Sequence, residues 1–322
     1  MPNIKQITAL YKTKFAELNF DKSPRGLYEP MQHIISVPGK HIRPLLLLLG
    51  TEAFGGNIEE ALPAAHAMEL FHSFTLLHDD IMDKATLRRG IQTVHQKYGL
   101  NSGILVGDAL FPIAYTYLCS IPAQYLVAVL DIFNRSSIGI IEGQQVDIDF
   151  EQQLYVTVND YIKMIGDKTS VLLACSLQIG AIIGGASKED QQCLYEFGMK
   201  IGLSFQIKDD WLDTFGESIK VGKKAGGDIL QNKKTYLLIT LLADTDDTDR
   251  EKLITLLQEI NEERKVSGVK NLYEKYNVST KTLEKIEALY QESIAALKAL
   301  SIPESDKANL YAMAEMIHHR DF

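Results

Sequence analysis

Apolar residues recur every three or four positions along most of this chain, and that period predicts α-helices. The alternation of apolar and polar residues that would indicate β-strands is nearly absent. The helical period is clearest in residues 61–78, 160–183 and 191–213. The pattern therefore predicts an all-α protein.

Helix starts and interruptions divide the chain into about a dozen predicted helices of up to about 25 residues. Thr157 with Asp160 and Ser187 with Asp190 fit the capping box, in which a hydroxyl and a following acid bond main-chain N–H groups. The predicted breaks fall at residues 38–40, 54–57, 88–90, 183–185, 215–228 and 244–251. We expect the last of them to be an acidic, solvated connection between two helices. With no linker or repeat in the sequence, we expect one domain over residues 1–322.

Composition narrows the class of protein. The 322 residues include 33 Lys and Arg against 42 Asp and Glu, a formal charge of −9, which argues against a nucleic-acid partner. The three cysteines are too few and too scattered for a disulfide framework or a zinc cluster. The most apolar stretches, residues 44–50 and 171–186, are shorter than the roughly 20 residues of a membrane span. We see no targeting segment either, and therefore expect a cytoplasmic protein.

Two aspartate-rich pentads carry the strongest chemical signal: DDIMD at residues 79–83 and DDWLD at residues 209–213. On a helix the first and fifth positions share one face, so each pentad forms a carboxylate pair. Both pentads end apolar helices, where desolvation makes like charges costly unless cations compensate. Mg²⁺ accepts carboxylates while it keeps water or phosphate oxygens. The candidate metal ligands are Asp79, Asp80, Asp83, Asp209, Asp210 and Asp213.

Basic residues follow both pentads and also lie near the start of the chain. Arg binds phosphate through two parallel hydrogen bonds, and Lys binds it as a point charge. Because no nucleophile with its base and orienting group accompanies them, the pattern favours a diphosphate bridged by metal over a sugar or a peptide. The basic residues are Lys40, Arg43, Arg88, Arg89, Lys223, Lys224, Lys233 and Lys234.

These motifs resemble the trans-isoprenyl diphosphate synthases, the all-α polyprenyl synthetases. The matches occur in order as GKHIRP (39–44), FHSFTLLHDDIMDKATLRRG (71–90), GDKTS (166–170), FQIKDDWLDTFG (205–216) and KKAGGDILQNKKTY (223–236). The resemblance implies a single large helical bundle around a central cavity, usually as a homodimer. It also implies Mg²⁺-dependent, head-to-tail condensation of isopentenyl diphosphate with dimethylallyl, geranyl or farnesyl diphosphate, giving a short-chain all-trans prenyl diphosphate.

The resemblance assigns roles to the matching residues. The two pentads would hold about three Mg²⁺ ions on the allylic diphosphate. Isopentenyl diphosphate would bind at Gly39, Lys40, Arg43, His72 and Arg89. The allylic diphosphate would contact Arg88, Lys168, Lys233 and a loop lysine, either Lys223 or Lys224, with Lys223 preferred. The catalytic residues would be Lys168, Thr169 and Gln206, which line the scissile region, together with Asp79, Asp80 and Asp209.

The expected chemistry follows from charge. Breaking the allylic C–O bond leaves a delocalised carbocation and extra negative charge on the diphosphate, which fixed cations stabilise selectively. The carbocation must be kept dry, and the apolar helices above the pentads would do this. The isopentenyl double bond then attacks the cation, and one proton is lost to the departing diphosphate.

Product length would depend on the cavity floor, which we place on the helix that ends in the first pentad. Phe74 and Phe71, one and two turns before the pentad, would form this floor. In the family an aromatic residue five positions before the pentad indicates short-chain products. Farnesyl synthases usually add a second aromatic residue beside it or a two-residue insertion. Thr75 is small and the insertion is missing, so the twenty-carbon geranylgeranyl product is slightly favoured over the fifteen-carbon farnesyl product.

Three alternatives stay open from the sequence. A terpene cyclase shares the fold and the first pentad, but its second metal motif would carry Ser or Thr in place of Asp213. An HD-type phosphohydrolase would use His78 with Asp79, which leaves the second pentad unexplained. A non-catalytic partner subunit of a synthase would be expected to lose an aspartate or a GKxxR residue, and this chain keeps them all.

Overall fold

The computed structural model describes residues 3–153, 155–216 and 226–319. Within them are sixteen α-helices, one π-helical turn and one two-stranded hairpin. The first half contains α1 (Ile4–Ala16), α2 (Arg25–Ile35), α3 (Ile42–Ala53), α4 (Ile58–Met82), β1 (Leu87–Arg88), β2 (Ile91–Gln92), α5 (Val94–Tyr98), α6 (Leu100–Leu118) and α7 (Ala123–Gln152). The second half contains α8 (Val158–Ile165), the π-turn (Gly166–Ser170), α9 (Val171–Ile183), α10 (Lys188–Phe215), α11 (Gly227–Leu230), α12 (Tyr236–Asp244), α13 (Asp247–Leu257), α14 (Glu262–Lys275), α15 (Val278–Lys298) and α16 (Glu304–His319).

The all-α prediction is confirmed, but the helices are more numerous and more varied in length than the pattern predicts. Helices α5 and α11 have five and four residues, too few to show a period. At the other extreme, α7 has 30 residues and α10 has 28. Residues 160–183 are helical as predicted, but a π-turn joins α8 to α9 within them. A π-turn fits one extra residue into a helix and is frequent at functional sites.

The core forms around helices that are apolar on every side. Residues 45–49 of α3 are all leucine and are at most 5% exposed, since α3 packs between α4 and α9. A helix that is apolar all round is stable only in such an interior. Helix α4 also packs against α6, while α10 packs against α9 and α15. Both pentads therefore lie near the C-terminal ends of helices that are anchored in the core.

The helix starts agree with the sequence at one site and differ at two others. Thr157 and Asp160 form the predicted capping box at the start of α8. At the start of α10, the Ser187 hydroxyl accepts from the Asp190 N–H, but the Asp190 carboxylate instead accepts from the N–H and hydroxyl of Ser301. The acidic run is a connection only over residues 245–246, because α13 begins within it at Asp247.

Helix α9 contains the longest apolar run of the chain. It has 13 residues, of which all but Gln178 are buried, against α3, α7 and α10. In the part of the chain that the structure describes, no helix has both the length and the apolar character needed to cross a bilayer.

Candidate active site

The first acidic pentad lies at the end of α4 and is neutralised by an arginine. Asp80 is 2% exposed, and its two carboxylate oxygens each accept from Arg88 Nε at 2.9 Å. Arg88 Nη2 lies 2.7 Å from Asp80 Oδ1 and 3.7 Å from Asp79 Oδ2. Asp83 is the residue that caps the helix C-terminus. The predicted phosphate ligand Arg88 is therefore already paired with the predicted metal ligands.

The hairpin after the pentad directs two neighbouring arginines, Arg88 and Arg89, toward different partners. Arg88 pairs with Ile91 across the hairpin, and the two residues of the turn, Arg89 and Gly90, have φ of 53° and 79°. Two central residues with positive φ define a type I′ turn, which matches the twist of the strands. Arg88 contacts the pentad, whereas Arg89 Nη1 donates to the carbonyl of Pro38 at 2.7 Å.

Arg89 completes a basic cluster with the GKHIRP segment. A Cβ on Gly39 would lie 2.8 Å from Arg89 Nη1, so a larger residue there would displace this guanidinium. Arg43 Nη1 donates to His72 Nε2 at 3.0 Å. Burial, and then Arg43 and Arg89, hold the pKa of His72 well below its usual range, so the ring is neutral and can accept this bond. Lys40 is exposed immediately before this cluster.

Glu69 supplies the negative charge behind this cluster. It lies on α4 one turn before His72, is 8% exposed, and places Oε1 2.8 Å from His41 Nδ1. Burial lowers the pKa of Arg43 to about 10, which Glu69 opposes and Arg89 reinforces. Arg43 Nε is buried and lacks a hydrogen-bond partner in the described part of the chain. The cluster therefore keeps donor capacity for an anion.

Lys168 connects the π-turn to the first pentad. Its Nζ lies 2.5 Å from Asp147 Oδ2 and 3.7 Å from Asp79 Oδ1. The main chain at this lysine touches α7, since a Cβ on Gly143 would lie only 2.5 Å from Lys168 N. Glycine in α7 is therefore what allows the π-turn to approach. Thr169 follows in the same turn and is half-buried.

Asp210, in the second acidic pentad near the end of α10, accepts hydrogen bonds from uncharged donors. Asp210 is 2% exposed, and its Oδ2 accepts from the Tyr161 hydroxyl and from the Tyr236 N–H at 3.3 Å. Gln206 Nε2 lies 3.5 Å from its other oxygen. Burial raises the pKa of Asp210, and Lys233 and these hydrogen bonds oppose that rise. Asp209, on the same turn of α10, is half-buried.

A one-turn helix orients Asp213, the last aspartate of the second pentad. The Asp228 N–H donates to Asp213 Oδ2 at 2.9 Å, and the Gly226 N–H donates to the Asp213 carbonyl at 2.7 Å. Both donors belong to the GGD sequence at the start of α11. The turn therefore fixes the direction of the carboxylate without neutralising it.

Lys233 lies between the two pentads. Its Nζ is 3.9 Å from Asp228 Oδ1, and its side chain is 44% exposed. Burial alone would lower its pKa, but the carboxylates of Asp228, Asp210, Asp147 and Asp83 outweigh burial and raise it. Asp83 belongs to the first pentad and Asp210 to the second, so Lys233 is within electrostatic range of both pentads, which therefore face one shared space.

The donor set fits Mg²⁺ bound together with a diphosphate. Asp79 Oδ1 is buried without a hydrogen-bond partner among the described residues, as expected of an oxygen reserved for a metal. Desolvation, and then the Asp79 carboxylate, raise the pKa of Asp83, whereas the cations Lys168 and Lys233 oppose that rise, as a bound metal ion would. No three His, Cys, Asp or Glu side chains of the described residues converge to hold a metal alone. The pentads instead offer few ligands each, which suits an ion that completes its shell with water and phosphate.

Aromatic rings pack together one and two turns before the first pentad. Phe71 is fully buried, and its ring centroid lies 5.4 Å from Phe74, 5.7 Å from Phe111 and 5.1 Å from Phe133. Phe74 also packs on Phe111 at 5.5 Å. Thr75 carries no ring, and its hydroxyl donates to the His72 carbonyl at 2.9 Å. The two predicted floor residues thus belong to a four-ring cluster built by α4, α6 and α7.

Comparison with known proteins establishes the family. A family model described as polyprenyl synthetase matches residues 24–276. This chain belongs to the polyprenyl synthetase family. It is 42% identical over 220 residues to a geranylgeranyl diphosphate synthase of Sulfolobus acidocaldarius, over 67% of each chain. It is 36% identical over 280 residues to a short chain isoprenyl diphosphate synthase of Methanothermobacter thermautotrophicus, over 87% of this chain and 86% of the other.

The solved structures agree with this membership. A crystal structure of geranylgeranyl pyrophosphate synthetase from Pyrococcus horikoshii superposes with a TM-score of 0.92 and 33% identity, over 99% of this chain and 98% of the other. As a polyprenyl synthetase of the short-chain type, the chain is a prenyltransferase that elongates prenyl chains. The hydrolase and cyclase interpretations lose their support. His78, the histidine of the HD pair, lies 3.4 Å from the Ile104 carbonyl and packs on Phe74.

Several residues at this polyprenyl synthetase site were not identified from the sequence. Asp147 is one of several acidic residues in α7, and Tyr161 lies on the apolar face of a short helix. The helical period therefore indicates no functional role for either residue. Asp228 stands in the quoted GGD sequence but carried no role. Phe111 could be found only by knowing that α6 packs beside α4. The predicted Lys223 and Lys224 lie outside the described residues.

Proposed function

We propose that this prenyltransferase condenses isopentenyl diphosphate with an allylic diphosphate in a Mg²⁺-dependent reaction, with geranylgeranyl diphosphate as the main product. The observation that carries the proposal is the position of Lys233, whose ammonium is influenced by aspartates of both pentads. Carboxylates of both pentads can raise the pKa of a single lysine only where the two pentads border a common space. That space, with acids on two sides and cations between them, suits a metal-bound diphosphate.

At the allylic site the acidic residues would bind metal and the basic residues would bind the diphosphate. The six pentad aspartates would hold Mg²⁺, which supplies positive charge to the diphosphate as it leaves. Arg88 and Lys168 would exchange part of their contact with Asp80 and Asp147 for phosphate oxygens. Lys233 would contact the same diphosphate from the other side. Each of these groups is stationed before the reaction, so little reorganisation is needed as negative charge grows.

Isopentenyl diphosphate would bind at the separate basic cluster. Among the described residues, Arg43 Nε has no hydrogen-bond partner, and Arg89 donates to the Pro38 carbonyl through Nη1. His72 would remain neutral and hold Arg43 in place. Gly39 leaves the space that the second diphosphate and Arg89 share. Two diphosphates at two clusters allow the double bond of one substrate to reach the allylic carbon of the other.

The carbocation would form between Lys168, Thr169 and Gln206. The π-turn brings the first two residues toward the pentads, and Gln206 lies one turn before Asp210 on α10. Carbonyl and hydroxyl dipoles there would stabilise a positive carbon. Below it, the four-ring cluster excludes water, which would otherwise capture the cation.

The preference for a twenty-carbon product rests on Phe74 in the floor with the small Thr75 beside it. We expect Phe74→Ala to lengthen the products, because it opens the floor toward Phe111. Conversely, Thr75→Phe adds the second ring that the wild-type chain lacks and should shorten the products to fifteen carbons. Thin-layer chromatography of radiolabelled products measures both changes. Unchanged product lengths in the two variants would contradict this floor.

One assay tests the reaction itself. Purified protein is incubated with Mg²⁺, labelled isopentenyl diphosphate and, in turn, dimethylallyl, geranyl and farnesyl diphosphate, and the products are sized. We expect Mg²⁺-dependent elongation that stops mainly at twenty carbons. A cyclic hydrocarbon would instead indicate a cyclase, release of phosphate alone a hydrolase, and no product a partner subunit.

A single-domain, cytoplasmic homodimer completes the proposal. Long apolar side chains are exposed on α6 and α7, with Leu105 59%, Val127 80%, Ile138 57% and Ile141 55% exposed. Exposed apolar side chains on two consecutive helices are typical of an interface. The same surface on a second copy would cover them by two-fold symmetry. Sedimentation velocity should give the mass of two chains, and an Ile138→Arg variant should give the mass of one.

A further inference from the structure

A buried lysine on α14 holds the end of the one-turn helix α11. Lys265 is 6% exposed, although lysine is almost never fully buried unless it is paired. Its Nζ donates to the carbonyls of Leu230 at 3.1 Å and Leu257 at 3.0 Å. These are the last residues of α11 and α13, where the helix dipole favours a cation. Lys265 therefore ties α11 to α13 and α14.

The opposite end of α11 rests on the neighbouring residue of α14. A Cβ on Gly226 would lie 3.0 Å from one methyl of Val266 and 3.2 Å from the other. Gly226 has φ of 90°, in the left-handed region that favours glycine. Val266 thus supports the start of α11 while Lys265 holds its end.

Helix α11 passes this restraint on to the active site. Its first N–H groups donate to Asp213, at the carbonyl and at Oδ2. The Lys233 N–H donates to the Asp228 carbonyl at 3.0 Å, so α11 also sets where the Lys233 side chain begins. One short helix therefore orients a candidate metal ligand and a candidate phosphate ligand.

We propose that Lys265 is a positioning residue for the second acidic pentad, acting through α11 on the Asp213 carboxylate and on Lys233. The inference rests on the proposed function, because it assigns these two groups to the metal-bound allylic diphosphate. Burial alone accounts for the lowered pKa of Lys265, so the lysine acts through its hydrogen bonds and not through its field at the pentad. Outer residues that orient metal ligands commonly change metal affinity by about 10- to 100-fold when they are removed.

The test compares Lys265→Met with Lys265→Arg in the full-length protein. Met keeps the apolar stem and removes both hydrogen bonds, whereas Arg keeps donors. We expect Lys265→Met to raise the half-saturating Mg²⁺ concentration and the KM for the allylic diphosphate by about tenfold each. The KM for isopentenyl diphosphate should stay within about twofold, because its cluster lies on α3, α4 and the hairpin. Arg should restore most of the loss.

The chain offers a matched control in Lys307. This lysine is 2% exposed, and its Nζ donates to the carbonyl of Lys298, the last residue of α15, at 3.1 Å. It lies near Asp190 at the start of α10, about 30 Å from the second pentad at 1.5 Å per helical residue. Lys307→Met should therefore lower stability without changing the Mg²⁺ requirement. Equal kinetic effects of the two Met variants would overturn the positioning role.

Amide hydrogen exchange in the metal-free protein gives a readout that needs no activity. Loss of the Lys265 hydrogen bonds should speed exchange of the Gly226 and Asp228 amides at least about tenfold, and Lys307→Met should not. Unchanged exchange would overturn the inference. If Lys265→Met does not fold, Lys265→Gln, which can still donate to one carbonyl, gives the same readouts with smaller changes. If the wild-type protein elongates no substrate, the proposed function fails, while hydrogen exchange still decides whether Lys265 orients Asp213.

Discussion

The two acidic pentads are held in opposite ways. The first is paired with cations: Arg88 contacts Asp80 and Asp79, and Lys168 contacts Asp79. The second is held mainly by neutral donors: the Tyr161 hydroxyl and main-chain N–H groups at Asp210, and the GGD turn at Asp213. Asp79 and Asp80 of the first pentad are therefore paired with cations, whereas Asp210 and Asp213 of the second are oriented mainly by neutral donors.

This difference suggests distinct tasks for the two sides. Cations that already lie beside the first pentad can be shared with an incoming diphosphate, so that side brings substrate and metal together. The second side depends on geometry, since its hydrogen bonds fix oxygens without cancelling their charge. Damage to the first side should act mainly through lost charge, and damage to the second through lost orientation.

The largest effect is expected at the first pentad. Asp79→Asn removes a metal ligand whose Oδ1 has no hydrogen-bond partner in the described residues, so the fold should persist. We expect kcat to fall by about 10²–10³-fold, the loss typical of a group that stabilises transition-state charge. The radiolabel incorporation assay measures it. Asp131→Asn, an exposed carboxylate paired with Arg135 on α7, is the control and should leave kcat unchanged.

The approach of α7 to the π-turn is the next test. Gly143→Ala would place a Cβ 2.5 Å from Lys168 N and should destabilise the protein by about 1–3 kcal/mol while lowering activity. Gly139→Ala, four residues earlier on the same helix, meets nothing within 4 Å and should stabilise by about 0.5–1 kcal/mol. Urea unfolding of the two variants measures both. The same sign for both would disprove the close approach.

Loss of a hydrogen bond that orients the second pentad should lower activity less than these two changes. Tyr161→Phe removes only the hydroxyl that donates to Asp210. We expect the half-saturating Mg²⁺ concentration to rise about tenfold, with a smaller change in kcat at saturating metal. A Mg²⁺ titration of the initial rate shows this, with the exposed Tyr155→Phe as the control. If kcat at saturating Mg²⁺ fell without any change in the Mg²⁺ requirement, the comparison between the two sides would be wrong.

The smallest expected effect is a gain in stability from Asp83→Asn, a substitution that should lower activity. The pKa of Asp83 is raised in the folded state, so its ionised form destabilises the fold above that pKa. Asp83→Asn should therefore stabilise the metal-free protein by about 0.2–0.5 kcal/mol at pH 7, the cost of a like-charged i,i+4 pair. The gain should shrink as pH falls toward the carboxyl range. Thermal unfolding in EDTA tests this, and a loss of stability at pH 7 would contradict it.

The sequence was sufficient for the fold class and for the chemical character of the site. Helical periodicity predicted the long helices, since amphipathic and buried helices of many turns repeat their pattern often. It missed α5 and α11, which are too short to repeat one. It also missed the π-turn, because a single inserted residue leaves the helical period on either side of it almost unchanged.

The supporting residues could not be predicted, because their roles depend on tertiary contacts. The aspartates and arginines stand out as unusual clusters, whereas Tyr161 and Lys265 are single residues within ordinary helices. Lys265 is a lysine that the sequence would assign to the surface, and only the fold shows the two helix ends that it contacts. Phe111 likewise becomes part of the floor only when α6 packs against α4.

The central claim is that the two pentads bind a diphosphate through Mg²⁺, and titration calorimetry with inorganic pyrophosphate tests it most directly. We predict binding in the presence of Mg²⁺, little binding in EDTA, and loss of the Mg²⁺-dependent binding in both Asp79→Asn and Asp213→Asn. Pyrophosphate binding of equal strength in EDTA, or binding that survives both substitutions, would contradict the account.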